Sequence, residues 1–178
     1  MTRGDLNPLD GSGKRFLVIG FGNPGRLDDG LGPALAARVE AAELPGVTVD
    51  AGYQLQVEDA EAVSRHDVVV FADAAVAGAE PFSLAEVTPS SAVSFSSHSV
   101  GPDEVLGLAR DLFQAAPRAF VLGIRGYDFD EFGERLSPAA ARNLAAAEAF
   151  LLPILTHCDL AALAERARAA APPTPSSA

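Results

Sequence analysis

A single cysteine, Cys158, is all the thiol this sequence carries, which excludes an internal disulfide and any zinc site built from several thiolates. A reducing compartment, the cytoplasm, is the expected location. No apolar run approaches the roughly 20 residues that a membrane span needs. The opening segment MTRGDLNPLDGSGK carries acidic residues and no apolar core, so it does not read as a secretory leader. Basic residues are also scarce: 13 Lys and Arg stand against 24 Asp and Glu, a net charge of -11. A protein that grips a phosphate backbone needs a basic face that releases counterions, so nucleic acid is excluded as a partner. What is present, 48% hydrophobic and 21% charged residues in a chain of 178, suits one soluble globular domain with a substantial core.

The pattern along the chain alternates short apolar runs with helical periodicity. RFLVIGFG is a strand buried on both faces, and Leu35, Ala36 and Val39 then recur at helical spacing from about Leu31 to Glu43. GVTVDAG, DVVVFADAA and RAFVLGIRG read as further strands, with a helix in LQVEDAEAVSRH between the first two of these. PFSLAEVT reads as a shorter strand, SAVSFSSHSVGP as a serine-rich loop, and Pro102 to Gln114 as a helix. A long alanine-rich helix opens on a Ser-Pro start signal at Ser137. The expectation is a three-layer α/β/α sandwich around a mostly parallel five-stranded sheet, of a phosphorylase/hydrolase-like kind. Its domain is expected over residues 15–158, between a disordered segment at 1–14 and a largely disordered tail at 159–178.

The first strand ends in Gly20, Gly22 and Gly25, a GxGxxG that invites a dinucleotide reading, with Asp50 placed as a ribose-binding acid would be. The charges oppose it. A pyrophosphate needs the positive start of the following helix, and Asp28 and Asp29 occupy that approach. Pro24 also removes a backbone N–H from the turn. No nucleotide is therefore expected.

An aspartate at the start of a helix often serves as a cap. In an open parallel sheet, however, ligands sit beyond the carboxyl ends of the strands. Asp29 follows the first strand, Asp73 ends the third, and His98 lies in the serine-rich loop before a helix. An ionised Asp73 directly after an apolar run is costly to bury unpaired, so it must face solvent, a partner or a metal. Together the three residues supply two hard oxygen donors and one nitrogen donor, a set that can hold a divalent transition metal and leave coordination positions open.

GFGNPGRLDDGLG, VVVFADAA and SSHSVGPDEVL, in this order and over about residues 16–157, resemble the maturation endopeptidases of nickel-iron hydrogenases. That resemblance implies a protease that removes a short C-terminal peptide from the immature hydrogenase large subunit after nickel insertion. It places metal contact and catalysis on Asp29, Asp73 and His98, with the nickel supplied by the substrate. Asn23 and Asp28 in the first turn, and Tyr127, Asp128 and Asp130 in the acidic, aromatic loop GIRGYDFDEFGERLS, are the expected substrate-binding residues. Many relatives continue the second strand with Asp-Gly-Gly-Thr, whereas this chain has DAGYQLQVEDA, so the choice of large subunit is the open point.

Two other readings stay beside it. Peptidyl-tRNA hydrolase opens on a similar Gly-x-Gly-Asn-Pro-Gly turn, but it needs a histidine soon afterwards, and RLDDGLGPALAARVE has none. A catalytically silent nickel-binding assembly factor would have the same fold. Within the protease reading, Cys158 beside His157 reads as a structural cysteine, since neighbours in sequence point apart on a helix. The adjacent acids Asp28 and Asp29 are poorly placed to share a proton as an aspartic-protease pair. Metal-assisted hydrolysis is the expected chemistry.

Overall fold

The protein is described by a computed structural model, covering residues 13–90 and 100–171. Its strands are β1 (Phe16–Phe21), β2 (Val47–Gly52), β3 (Val68–Ala75), β4 (Phe82–Val87) and β5 (Arg118–Arg125). The helices are α1 (Leu31–Ala41), α2 (Asp59–Ser64), α3 (Pro102–Phe113), α4 (Pro138–Thr156) and α5 (Leu160–Ala170), and a 3-10 turn at Leu27–Gly30 leads into α1. The five strands lie in the order β2-β1-β3-β5-β4. All pairs are parallel except β4 with β5. The expected mostly parallel sandwich is thus the observed one.

Strand alternation builds both helix layers at once. Phe16 and Val18 of β1, with Val68 and Val70 of β3, face α1, α4 and α5. Leu17 and Ile19, with Val69 and Phe71, face α2 and α3 on the opposite side. Because every one of these side chains is buried, the central strands read as unbroken apolar runs in the sequence.

Two expectations change. The second helix is shorter than LQVEDAEAVSRH suggests, because Asp59 turns its carboxylate back onto the Gln56 N–H (2.8 Å) and starts the helix there. The region 159–178 is not simply a tail: α5 is capped by Asp159, whose carboxylate accepts the Ala162 N–H at 3.0 Å. Leu163, Ala164 and Ala167 then sit on one helical face and bury into the core. The Pro- and Ser-rich composition that suggested disorder belongs to residues after this helix.

Leu163 is fully buried, so Leu163→Ala is expected to lower unfolding stability by about 2–5 kcal/mol, read from the urea midpoint. An unchanged midpoint would mean that α5 contributes nothing to the domain.

Candidate active site

The sheet changes winding direction between its two central strands. From β1 the chain crosses through α1 to β2 on one side, and the strands after β3 lie on the other. Such a switch point opens a crevice at the carboxyl edge. Pairing of β1 with β3 ends at Gly20 and Ala72, whereas β3 continues beside β5 through Asp73, paired with Gly123. Into the gap comes the start of α1. A Cβ on Gly32 would stand 2.4 Å from the carbonyl oxygens of both Phe21 and Ala72, so only glycine allows the helix this close. Asp29, one turn before Gly32, is thereby brought to the end of β3.

Asp29 and Asp73 lie near enough at this edge for the charge of one to act on the other. Each is half-buried and oriented by a backbone donor: Asn23 N–H to Asp29 Oδ2 and Ala74 N–H to Asp73 Oδ1, both 2.8 Å. Burial pushes the Asp73 carboxyl up to about 6; the Ala74 N–H works against this, and the charge of Asp29 adds to it. Two acids stand at this edge with no ion pair to Lys or Arg among the described residues. A divalent cation suits this pair, since hard carboxylate oxygens are its natural donors and its charge would relieve the repulsion. His98, the third expected ligand, lies outside the described residues. Among those described, no group of three His, Cys, Asp or Glu side chains stands ready for a metal.

Asp28 has a different task from the one expected. The 3-10 turn rotates about 120° per residue, so consecutive acids diverge. Asp28 points inward and is completely buried, which removes it from the substrate-binding set. Its Oδ2 accepts the N–H groups of Tyr127 (2.8 Å) and Asp128 (3.0 Å) and the Ser137 hydroxyl (2.7 Å), while Oδ1 accepts the Ser137 N–H (2.7 Å). Burial alone would raise its pKa, but these four donors together hold it below the usual carboxylate value. Ser137 also caps α4, accepting the Ala140 N–H at 3.2 Å. The partnership of Asp28 with Ser137 is 109 residues apart in sequence and had no signal there beyond the Ser-Pro helix start.

Asp28 thus anchors the late loop beside the crevice. Backbone bonds extend the anchor: Asp28 N–H to Asp128 O (3.0 Å), Leu27 N–H to Gly133 O (2.9 Å) and Gly133 N–H to Gly25 O (2.8 Å). They hold Leu27 at φ 51, a left-handed conformation that costs a branched side chain about 1–2 kcal/mol. Tyr127, Asp128 and Asp130 remain exposed on this loop. Tyr127 is itself tethered, its hydroxyl bonding to Glu80 and accepting the Asn143 side-chain N–H (3.0 Å). Asn23 shapes the first turn, accepting the Gly25 N–H on Oδ1 at 2.9 Å. Gly22 donates to Gly52 O and Asn23 to Asp29, so turn N–H groups that would cradle a pyrophosphate are already engaged by the protein.

Cys158 bonds from Sγ to Leu155 O and packs against the core, as expected for a structural thiol.

No protein-family model and no curated protein matches the chain; its likeness is to solved structures. The nickel-iron hydrogenase maturation protease HycI of Thermococcus kodakarensis KOD1 aligns with a TM-score of 0.64 at 22% identity, over 81% of this chain and 94% of that one. The hydrogenase maturating endopeptidase HybD of E. coli gives 0.60 at 20% identity, over 82% and 94%. A hydrogenase 2 maturation peptidase from Thaumarchaeota archaeon SCGC_AB-539-E09 gives 0.58 at 22% identity, over 80% and 98%. The fold is therefore that of the hydrogenase maturation endopeptidases.

Two outcomes follow from the opposed roles of the acids. Asp28→Asn would turn an amide N–H₂ toward N–H donors and is expected to cost on the order of 3 kcal/mol in a denaturant titration; a shift within error would remove the anchor role. In metal-free protein, carboxyl NMR should place the Asp73 midpoint near pH 6, and Asp29→Asn should lower it by removing a like charge. The folded value lies above the ordinary 3.8, so the associated stability is full below 3.8 and lost as pH rises through about 6. An Asp73 midpoint unmoved by Asp29→Asn would separate the two carboxylates.

Proposed function

We propose that this protein is an endopeptidase that removes a C-terminal peptide from the nickel-loaded precursor of a nickel-iron hydrogenase large subunit. The observation that carries the reading is Asp29 and Asp73, close enough for their charges to interact, at the switch point of a sheet with the maturation-endopeptidase fold. His98 completes the proposed ligand set from the serine-rich loop. When bound, a divalent ion would supply Lewis-acid chemistry, polarising the scissile carbonyl or acidifying an attacking water.

The residues of this chain have separate tasks in that reading. Asp29 and Asp73 present anionic oxygens whose directions are fixed by Asn23 N–H and Ala74 N–H. With few protein ligands the coordination is incomplete, and the substrate's own nickel site would supply the remainder. The ion would then report that the large subunit has been loaded. The exposed surface of Tyr127, Asp128 and Asp130 supplies contact with the precursor beside the crevice, as loops on a rigid scaffold commonly do.

The test is to mix the purified protein with its cognate precursor, nickel-loaded or empty, and follow the large-subunit mass. Loss of one C-terminal peptide from the loaded form alone is expected, with at least a ~100-fold loss of rate in Asp29→Asn and in Asp73→Asn. Equal cutting of both forms would show that nickel is not the recognition signal. No cutting of either would favour the silent assembly factor.

A further inference from the structure

Among the described residues β2 ends the sheet, paired on one side with β1. Phe16 N–H donates to Gly46 O and Gly22 N–H to Gly52 O (2.9 and 3.0 Å), so even-numbered backbone groups of β2 turn toward β1. By alternation those of Val47, Val49 and Ala51 face outward. Val47 N–H returns to Leu44 O and Ala51 N–H to Asp50 Oδ1. The Val49 N–H and the carbonyls of Val47 and Val49 are left directed along the edge.

Three concavities adjoin along this edge, between β2 and α1. The first, of about 240 Å³, lies beside the Asp29 turn and is lined by Gly22, Pro24, Pro33 and Tyr53 among others. It shares Pro33 and Ala51 with the second, of about 170 Å³, which shares Glu40 and Val49 with the third, of about 180 Å³. The result is one groove, roughly 17 Å long at ~3.3 Å per strand residue. Its floor is apolar, from Val47, Val49 and Ala36, and its rim carries Glu40, Glu43 and Asp50. Among the described residues that line it, none is basic.

We infer that this groove receives an extended, basic segment of the protein substrate as an added strand on β2, leading it to the Asp29 turn. The inference rests on the protease reading for the identity of the substrate. An added strand would meet the outward groups of Val47 and Val49 with its own backbone. Its alternate side chains would lie on the apolar floor, and its positive charges would meet the acidic rim. Continuity with the Asp29 turn gives the groove its direction: a segment lying along β2 arrives at the crevice.

Isotope-labelled full-length protein is titrated with the hexapeptide Lys-Val-Lys-Val-Lys-Val and with its Glu-Val counterpart. The basic peptide should shift the amides of Val49 and Ala51 and slow exchange at Val49; the acidic one should bind at least about fivefold more weakly. Ala37→Trp, at an exposed position on the groove wall, should abolish the shifts. In precursor processing, Ala37→Trp and Glu40→Lys should each raise KM about tenfold with kcat unchanged. Absence of β2 shifts, or shifts unaffected by Ala37→Trp, would overturn the groove. A dimer in sedimentation with Val49 already protected would overturn it too, by giving the edge to a second copy. Shifts at β2 with no cleavage of any precursor would support the groove and remove the protease reading instead.

Discussion

A buried carboxylate with four donors holds the carboxyl edge of this sheet together. Asp28 joins the turn after β1, the loop after β5 and the Ser137 cap of α4 at one point. An unpaired charge in that position would be prohibitive. With four donors it becomes a directional constraint: all four bonds form together only if the three segments are in place. The left-handed Leu27 and the bonds through Gly133 belong to the same assembly.

Fixing Asp28 inward fixes Asp29 outward, because they are successive residues of one 3-10 turn. The same turn is pressed into the gap between β1 and β3 by Gly32, and Asp73 stands where β3 outruns β1. The chain thus keeps two acids on adjacent positions with opposite electrostatic histories. One has every oxygen satisfied and ionises readily. The other stands beside Asp73, whose carboxyl burial holds above the usual carboxylate range, and the oxygens of the two acids suit a cation.

Much of this was legible in the sequence because the central strands are buried on both faces and cannot alternate. The runs around Phe16, Val68 and Arg118 therefore declared a doubly covered parallel sheet, and the sheet placed Asp29 and Asp73 on one edge by the rule of strand ends. The charge of its neighbours argues against dinucleotide binding at the glycine turn, and Asn23 N–H is spent on Asp29 there. What could not be read was long-range. Nothing local distinguishes an acid bonded to Ser137 from one facing substrate, so the sequence does not show that Asp28 turns inward. α5 was hidden by the Pro- and Ser-rich residues that follow it, although its Asp cap and its Leu163, Ala164 and Ala167 face were present. The groove on β2 depends on which strand lies at the sheet's edge, a property of the strand order rather than of any motif.

Everything proposed for the chemistry depends on Asp29 and Asp73 sharing a cation. Crystals grown with cadmium, measured for anomalous scattering, address this at the level of atoms. A peak within bonding distance of carboxylate oxygens from both residues, lost in Asp73→Asn, is the expected result. A peak confined to the exposed acids of the late loop, Asp128 and Asp130, would contradict it.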